Sequence, residues 1–479
     1  MGKYSVPESI RQCKPKGTMV KAISGHYYVY EYSSYVDETG KRRTKMGKVI
    51  GSIKEGIGFV PNNSNIVDSE ISTLEYGQYA IAMANSTRTL ELLKNCFNPL
   101  DATRIYVISL IHFVENFTHM KDVHKYYDFS YLSVKFPDLK LGYDALATLY
   151  DNLGRRQGGV LKFEQLLVDR SSGELAIDGH AITCVSDKND LAEKGNKYQK
   201  FNSEQINLLM AYDVNTGIPL ISKIYEGGNL DKISVSDFLD QVILKDMLFI
   251  VDTGFYSASN IKLFTENNNS YIIPLTSNIK GHKEVSKIKE VTGRFVYRAN
   301  RKNTVIEYTE TRIGSQRVIA YKDMNLAALS QSDYLSRVEE GKWPGYTMEK
   351  YEELKDTFGV IVLQTNLTDK TEREIYELYK KRWSIETYYD YFKNSANYKS
   401  LYMMDYYKTQ GLSFIMLVSS LIYREFSNAT KVLKTRHVED CLLDARMLKI
   451  CKRRNRWQIC NCKNTLKEMF EQMNTDLIV

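Results

Sequence analysis

The middle of the chain alternates short apolar runs with polar turns, a pattern that predicts a mixed α/β core. The run Glu174 to Asp178 comes first, and two more apolar segments, Gln205 to Tyr212 and Ile218 to Tyr225, flank a reversal at Asn215-Thr216-Gly217. A further apolar run, Met247 to Asp252, also ends in an acid. We predict a three-stranded meander, a helix over Ser234 to Lys245, a fourth strand ending at Asp252, a short helix over Ser257 to Glu266, and a fifth strand over Ser270 to Pro274.

Asp178 and Asp252 each lie where one of these apolar runs stops. An aspartate in this position is often only part of a turn. The order of elements, however, is that of the ribonuclease H-like nucleases, in which the first and fourth strands are neighbours, so the two carboxylates would lie side by side. Adjacent carboxylates repel unless cations bind them, and their hard oxygens favour magnesium or manganese over zinc.

A helix predicted for Thr368 to Asn397 places a carboxylate between two cations. Asp369 can cap it, with Glu372 three residues later. An isolated charged helix face is usually just solvated, but Glu386 on this face can complete an acidic cluster with the two aspartates. Asp390 shares the face and is a second candidate for the third acid. The helical spacing brings four residues to one side of the rod: Tyr379, Arg382, Glu386 and Lys393.

The spacing of these four residues resembles the Tyr-Arg-Glu-Lys signature of bacterial insertion-sequence transposases of the DDE class. Asp252-Thr-Gly-Phe resembles the second-aspartate motif of that group. Gly228-Asn229 with Asp231 resembles the short stretch that lies between its aspartates. His180 departs from the pattern, since a small or hydroxyl residue is more frequent there. The resemblance covers residues 170 to 400.

The resemblance implies a transposase that binds the terminal inverted repeats of its own element, cleaves the ends and joins the freed 3′-hydroxyl to target DNA. It implies two Mg²⁺ ions per site, with Mn²⁺ as a substitute, held by three acids: Asp178, Asp252 and Glu386. Arg382 and Lys393 would contact phosphates near the scissile bond. Tyr379 would bind a phosphate or support a displaced base. Two alternatives are a ribonuclease H-like nuclease without strand transfer and a domesticated DNA-binding protein without catalysis.

The segment between Asp252 and Glu386 is too long for a connection inside a compact core. From Gly293 to Asp323 the chain alternates as strands do, so we predict a β-rich insertion, which the resemblance also implies. The core then resumes at Phe358. Trp343 in the insertion is a candidate to stack on an unpaired base, although a packing tryptophan is the more common case.

Positive charge is concentrated at the two ends of the chain, although the net charge of the 479 residues is only +7. Residues 1–60 hold eleven Lys or Arg against five Asp or Glu, and residues 430–479 hold eleven against six. These ends fit phosphate-binding arms around an acidic core, or solvated tails. Strand patterns on both sides of residues 37–43 predict a small β module whose turn displays Arg42 and Arg43 to DNA.

The predicted fold class is α/β, with a ribonuclease H-like core, a β-rich insertion, and N-terminal β and helical DNA-binding modules. The expected partners are double-stranded DNA, as transposon ends and as target, and a second copy of the chain in a homodimer on DNA. The predicted boundaries are 1–65 for the basic β module, 66–168 for the helical DNA-binding or linker region, 169–275 and 356–430 for the core, 276–355 for the insertion and 431–479 for a basic helical region.

Seven cysteines show no paired CxxC spacing, which favours reduced thiols in the cytosol. Cys451, Cys460 and Cys462 near His437 suggest zinc, but their intervals match no standard site. The longest apolar run, Leu412 to Tyr423, is short for a membrane span, and no P-loop pattern indicates a nucleotide cofactor. We expect a prokaryotic, cytoplasmic, nucleoid-associated enzyme.

Overall fold

The computed structural model divides the chain into two compact units, Met1–Ser72 and Thr73–Val479. Each unit has its own hydrophobic core. The residues that the structure describes are 6–62, 73–184, 189–194, 204–227, 231–277, 279, 282, 285, 290–299, 302–386, 389, 400–401, 405–434, 436–453 and 456–479.

The first unit is an antiparallel sheet accompanied by a short helix, Glu8–Gln12. Its strands follow chain order across the sheet: β1 Thr18–Ile23, β2 His26–Val36, β3 Arg42–Lys54 and β4 Gly58–Pro61. A small apolar cluster of Ile10, Val29 and Ile53 forms the core of this unit. The strands expected on both sides of residues 37–43 are present, and their binding to DNA stays a prediction.

The second unit is built on a mixed sheet of eleven described strands. After β5 (Thr73–Glu75), which belongs to a smaller sheet, these strands are β6 Glu174–Cys184, β7 Glu193–Lys194, β8 Glu204–Asp213, β9 Ile218–Glu226, β10 Leu248–Val251, β11 Ser270–Pro274, β12 Gly293–Ala299, β13 Lys302–Ile313, β14 Gln316–Asp323, β15 Val360–Thr365 and β16 Ser400–Leu401.

The strand pairing confirms that the first and fourth core strands are neighbours. β6 lies between β8 and β10, with β9 beyond β8 and β11 beyond β10. β6, β10 and β11 run parallel, while β8 and β9 form the antiparallel meander. β10 reads Leu-Phe-Ile-Val and is buried throughout, as expected of a central parallel strand that is covered on both faces. Helices Asp231–Leu239 and Ala258–Leu263 flank it in sequence.

The predicted β insertion is continuous with the core sheet. β12, β13 and β14 form an antiparallel meander, and β14 pairs with β15, which in turn pairs with β11. We expected a β-rich subdomain, whereas these strands extend the core sheet. The later part of the insertion is helical, with helices Met324–Glu340 and Met348–Leu354.

A long buried helix, Tyr406–Thr430, packs against β9 and against the helices that precede the sheet. Its Gln410 side chain accepts from the backbone N–H of Ile224 and donates to the carbonyl of the same residue. These bonds satisfy backbone hydrogen-bonding groups at the edge of β9. None of the described helices is long and apolar enough to cross a membrane. The earlier helices are Gly77–Ala84, Thr87–Cys96, Pro99–Val114, Val123–Asp128, Leu132–Lys135, Tyr143–Gly154 and Gly159–Asp169.

Glycine lets this long helix cross closely over Tyr143–Gly154. A Cβ atom at Gly154 would lie 1.6 Å from the carbonyl oxygen of Tyr407, and one at Gly411 would lie 2.0 Å from that of Tyr150. Neither position therefore accepts a side chain without moving a backbone.

The C-terminal region contains strands as well as the expected helices. Helices Val438–Ala445 and Asn464–Gln472 enclose a hairpin of β17 (Lys449–Arg453) and β18 (Arg456–Cys460). β17 also pairs with β5 at the start of the same unit. The predicted basic helical region 431–479 thus contains helices and, in addition, a hairpin that was not predicted, because its pairing with β5 joins distant parts of the chain.

Candidate catalytic site

Asp178 and Asp252 lie at the same level of two neighbouring parallel strands. Val251, the last residue of β10, is paired with Ile177 of β6, so the next residue on each strand is one of the two aspartates. Each carboxylate accepts from the following backbone N–H, that of Gly179 and that of Thr253, at 2.8 Å. The sheet therefore brings together the two acids that the sequence singled out, and both are half-buried.

The edge of β6 beside Asp178 is uncovered by the described strands over a short stretch. β10 accompanies β6 only as far as Ile177, and β16 pairs with it again only at Thr183 and Cys184. This interval gives side chains from another element access to the strand next to the first aspartate.

The helix that carries the predicted third acid is shorter than expected and is interrupted. It runs over Glu372–Lys381, and its N-terminus is a capping box made by Thr371 and Glu374 instead of Asp369. At Arg382 the chain makes a turn with hydrogen bonds three residues apart, and residues 383–386 are helical again. The prediction of one continuous helix over Thr368 to Asn397 was therefore wrong.

The guanidinium group of Arg382 lies among the acids. Its Nη2 is 2.7 Å from Oε1 of Glu386, and its Nη1 is 4.0 Å from Oδ2 of Asp178. The Arg382 side chain is only 8% exposed, compared with 40% for Glu386. Burial acts to lower the pKa of Arg382, but neighbouring groups outweigh it and raise that pKa: Tyr379, Asp252, Asp178 and Glu386.

Tyr379 forms one wall of the site. Its side chain is buried, and its ring centre lies 5.8 Å from the Arg382 guanidinium. Burial raises the pKa of Tyr379; Arg382 acts to lower it, and the negative charges of Asp252 and Glu386 to raise it, with a net rise. The phenol is therefore a neutral hydrogen-bonding group at neutral pH.

The carboxylate oxygens of the three acids are suitable ligands for hard cations. In the structure, however, the acids lie around the Arg382 side chain. No group of three His, Cys, Asp or Glu is placed to hold a metal ion within the part of the chain that the structure describes. Neither the three predicted acids nor the cysteines considered for zinc form such a group among the described residues. Of those cysteines, Cys451 and Cys460 have their Sγ atoms 2.8 Å apart across the C-terminal hairpin. The carboxylate oxygens of Asp178, Asp252 and Glu386 fit Mg²⁺ or Mn²⁺ in chemistry.

Tyr389 is a site residue that the sequence reasoning missed. Its hydroxyl donates to the backbone carbonyl of Asp178 at 2.9 Å. Its ring stacks on His180, with centroids 4.9 Å apart and planes inclined by 27°. His180, which departs from the family pattern, and the aromatic run after Glu386 were the signals that could have revealed this contact.

The remaining candidates lie elsewhere or outside the described residues. Lys393, Asp390 and the Gly228-Asn229 pair are outside the described part of the chain. Trp343 is 51% exposed, with the Arg337 guanidinium 6.0 Å from its ring centre. Arg42 and Arg43 begin β3 in the first unit, where the Nε of Arg43 donates to Asp37. Their contacts with DNA stay predictions.

Residues 170–422, more than half of the chain, match the family model described as the transposase DDE domain. Among solved structures, the cryo-EM structure of a piggyBac transposase synaptic complex with hairpin DNA is similar to this chain, with 12% sequence identity and a TM-score of 0.42. The similarity covers 79% of this chain and 82% of the other. Curated protein sequences gave no match.

Proposed function

We propose that this chain, which belongs to the family with the transposase DDE domain, mobilises an insertion sequence. It would bind the terminal inverted repeats, cleave the ends and join the freed 3′-hydroxyls to target DNA. The observation that carries this proposal is the register of β6 and β10, which places Asp178 beside Asp252, with Glu386 held at the same arginine. We also propose that the core is ribonuclease H-like and that the chain belongs to the bacterial Tyr-Arg-Glu-Lys group.

Asp178, Asp252 and Glu386 would hold two divalent cations, Mg²⁺ with Mn²⁺ as a substitute. Such ions activate a water or a 3′-hydroxyl and stabilise the leaving oxygen. The support from the structure is the oxygen-only donor set on two adjacent strands and a helical segment. The chain's own contribution is to hold these carboxylates in register, which the parallel pairing of β6 and β10 does for the first two.

Arg382, Lys393 and Tyr379 would contact the DNA backbone close to the scissile phosphate. Burial of Arg382 among the acids supports this role, because a phosphate next to the carboxylates would meet a fixed cation there. Outside the site, Trp343 would stack on an unpaired base, and Arg42 and Arg43 would contact the ends. The partner is double-stranded DNA, bound by a homodimer in the cytoplasm.

The proposal is tested with purified protein, a labelled duplex carrying the inverted repeat that flanks the gene, and a target plasmid in Mg²⁺. Asp178→Asn, Asp252→Asn and Glu386→Gln should each abolish cleavage and joining but keep end binding, since the substitutions remove only charge. Glu377→Gln is the control, because Glu377 lies on the helix Glu372–Lys381 that precedes Glu386 and pairs with the exposed Arg373.

Three outcomes would change the proposal. Cleavage without joined products would indicate a nuclease, and binding without cleavage in either Mg²⁺ or Mn²⁺ would indicate a silent DNA-binding protein. Normal cleavage by Glu386→Gln together with loss in Asp390→Asn would mean that Asp390 is the third acid.

A further inference from the structure

The hairpin of the first unit extends well beyond the sheet that contains its base. β1 pairs with β2 only over His26 to Glu31, and β4 pairs with β3 only over Gly51 to Lys54. Beyond these positions, β2 and β3 pair only with each other within the described residues. We call the outer part, Tyr32–Val36 and Arg42–Met46 with the turn 37–41 between them, the ribbon.

The ribbon exposes large apolar side chains in addition to charge. Its strand residues are all exposed, and the exposed fraction is 43% for Tyr32, 53% for Tyr35, 64% for Val36 and 41% for Met46. A two-stranded hairpin has little stability of its own in water, and clustered exposed apolar groups usually mark an interaction surface. The ribbon therefore has the character of a surface that binds a partner.

The two faces of the ribbon differ in chemistry. Residues that are directly opposite in an antiparallel pair point to the same face. One face, which we call the reading face, combines hydroxyl and apolar groups with one arginine, through the pairs Tyr32 with Met46, Ser34 with Thr44 and Val36 with Arg42. The other face has the pairs Ser33 with Lys45 and Tyr35 with Arg43.

The net positive charge of the ribbon favours an anionic partner. The ribbon has four cations and two acids: Lys41, Arg42, Arg43 and Lys45 against Asp37 and Glu38. One of the acids, Asp37, is engaged within the turn by Arg43, at 2.7 Å. The cations that remain are on β3 and in the turn, along one edge of the ribbon.

Asp37 also fixes the shape of the tip. Its carboxylate accepts from the backbone N–H groups of Thr39 and Lys41 and from the Thr39 hydroxyl. The Thr39 hydroxyl bond and the Arg43 contact lower the pKa of Asp37 to about 2. Gly40, with φ of +76°, occupies the left-handed position that the turn needs. The tip is thus ordered before any partner binds, which reduces the entropic cost of binding.

We propose that the ribbon enters the major groove of the transposon end and that its reading face contacts base edges. The major groove of B-DNA admits a two-stranded β-ribbon, its guanines are recognised by arginine, and its thymine methyl groups are recognised by apolar side chains. Arg42 and Thr44 would read bases, Lys45 would contact a phosphate, and Arg43 would contact the DNA backbone from the other face while it holds the turn. This inference rests on the proposed function, since it requires a DNA substrate.

The test compares Arg42→Ala and Lys45→Ala in the full-length protein. The probes are a labelled duplex with the flanking inverted repeat and a scrambled duplex of the same composition. Arg42→Ala should reduce the preference for the repeat about tenfold and remove protection of a guanine N7, an atom in the major groove. Lys45→Ala should weaken both complexes equally and lower the salt slope by about one. Lys21→Ala, an exposed cation on β1 outside the ribbon, is the control.

The outcomes separate this inference from the proposed function. If the wild-type protein neither binds nor cleaves the repeat, the proposed function fails. If it binds and cleaves but Arg42→Ala and Lys45→Ala behave like the Lys21→Ala control, only the ribbon inference fails. Unchanged DNA binding combined with loss of self-association in both ribbon variants would also overturn it, because the ribbon would then bind a second copy of the chain.

Discussion

At the scale of single residues, the hydroxyl group of Tyr389 fastens the chain just after Glu386 to the strand that carries Asp178. It donates to the backbone carbonyl of Asp178, and its ring is stacked on His180. Carboxylates that share cations must be held to within about 0.5 Å. We therefore expect Tyr389 to act as a positioning residue, without contact with the DNA.

Tyr389→Phe removes only this hydroxyl group. One such hydrogen bond contributes about 1 kcal/mol, so we expect cleavage of a labelled end to fall about fivefold at limiting Mg²⁺ and less at saturating Mg²⁺. End binding should be unchanged. The measurement is the initial cleavage rate over a range of Mg²⁺ concentrations, with binding measured in parallel.

Tyr127→Phe is the control, because the Tyr127 hydroxyl also donates to a backbone carbonyl outside the site, that of Phe136, and in addition accepts from the backbone N–H of Leu139. It should lower the stability of the protein at least as much as Tyr389→Phe does and leave the Mg²⁺ dependence of cleavage as it is in the wild type. Parallel Mg²⁺ curves for the two variants would show that Tyr389 is merely structural.

The sequence revealed the two aspartates and not Tyr389, for a physical reason. Asp178 interrupts an apolar run and Asp252 ends one, and that local signal is enough to single out both acids, although β6 continues past Asp178 to Cys184. Tyr389 belongs to a polar aromatic run without a clear period, and its partner lies 211 residues earlier in the chain. A contact of this kind depends on the tertiary fold and leaves no local pattern.

At the scale of elements, Arg382 joins the interrupted helix to the sheet. Its guanidinium group contacts Glu386, four residues later on the next helical segment, and approaches Asp178 on β6. Without a cation at this position, carboxylates from two elements would repel each other. Arg382 therefore serves as the counter-ion of the site when no metal is bound.

Arg382→Gln should make stability depend on divalent cations. In EDTA we expect the variant to lose about 2 kcal/mol of unfolding free energy, a value reduced from that of a fully buried pair because Glu386 is partly exposed. Mg²⁺ should raise its melting temperature more than it raises that of the wild type, because the cation replaces the lost charge. Thermal and denaturant unfolding in EDTA and in Mg²⁺ measure both quantities.

The control for this prediction is Arg373→Gln on the same helix. Arg373 pairs with Glu377 at 2.8 Å, but both side chains are exposed, so the loss should be below about 1 kcal/mol and independent of Mg²⁺. If Arg382→Gln responds to Mg²⁺ no more than Arg373→Gln does, Arg382 is not the counter-ion of the acids.

Strands that contain a strong apolar run could be predicted from the sequence. Strands that form only because a distant strand pairs with them could not. β8, β9, β10 and β11 follow the predicted segments closely because their side chains are almost entirely buried. The hairpin of β17 and β18 escaped prediction, since charged residues such as Lys452 and Arg453 obscure its alternation. It is completed by β5, which lies more than 370 residues earlier. Strand propensity depends strongly on such context.

At the scale of the whole molecule, the basic β unit and the acidic site belong to separate compact units, Met1–Ser72 and Thr73–Val479. A transposable element has two DNA ends that must be cut together. If the unit that recognises one end belongs to a different subunit from the acids that cut it, chemistry becomes conditional on pairing of the ends. We therefore expect an active dimer on DNA.

Complementation between two inactive proteins tests this expectation. One protein lacks Met1–Ser72 and keeps the three acids, and the other is full-length with Asp252→Asn. Each alone should fail to cleave, the first for lack of end recognition and the second for lack of a metal ligand. A mixture of the two should recover part of the wild-type cleavage if the acids act in trans, and adding Asp252→Asn to the truncated protein should abolish that recovery. An inactive mixture, together with a wild-type protein that cleaves paired ends as a monomer, would mean that one chain both recognises and cuts each end.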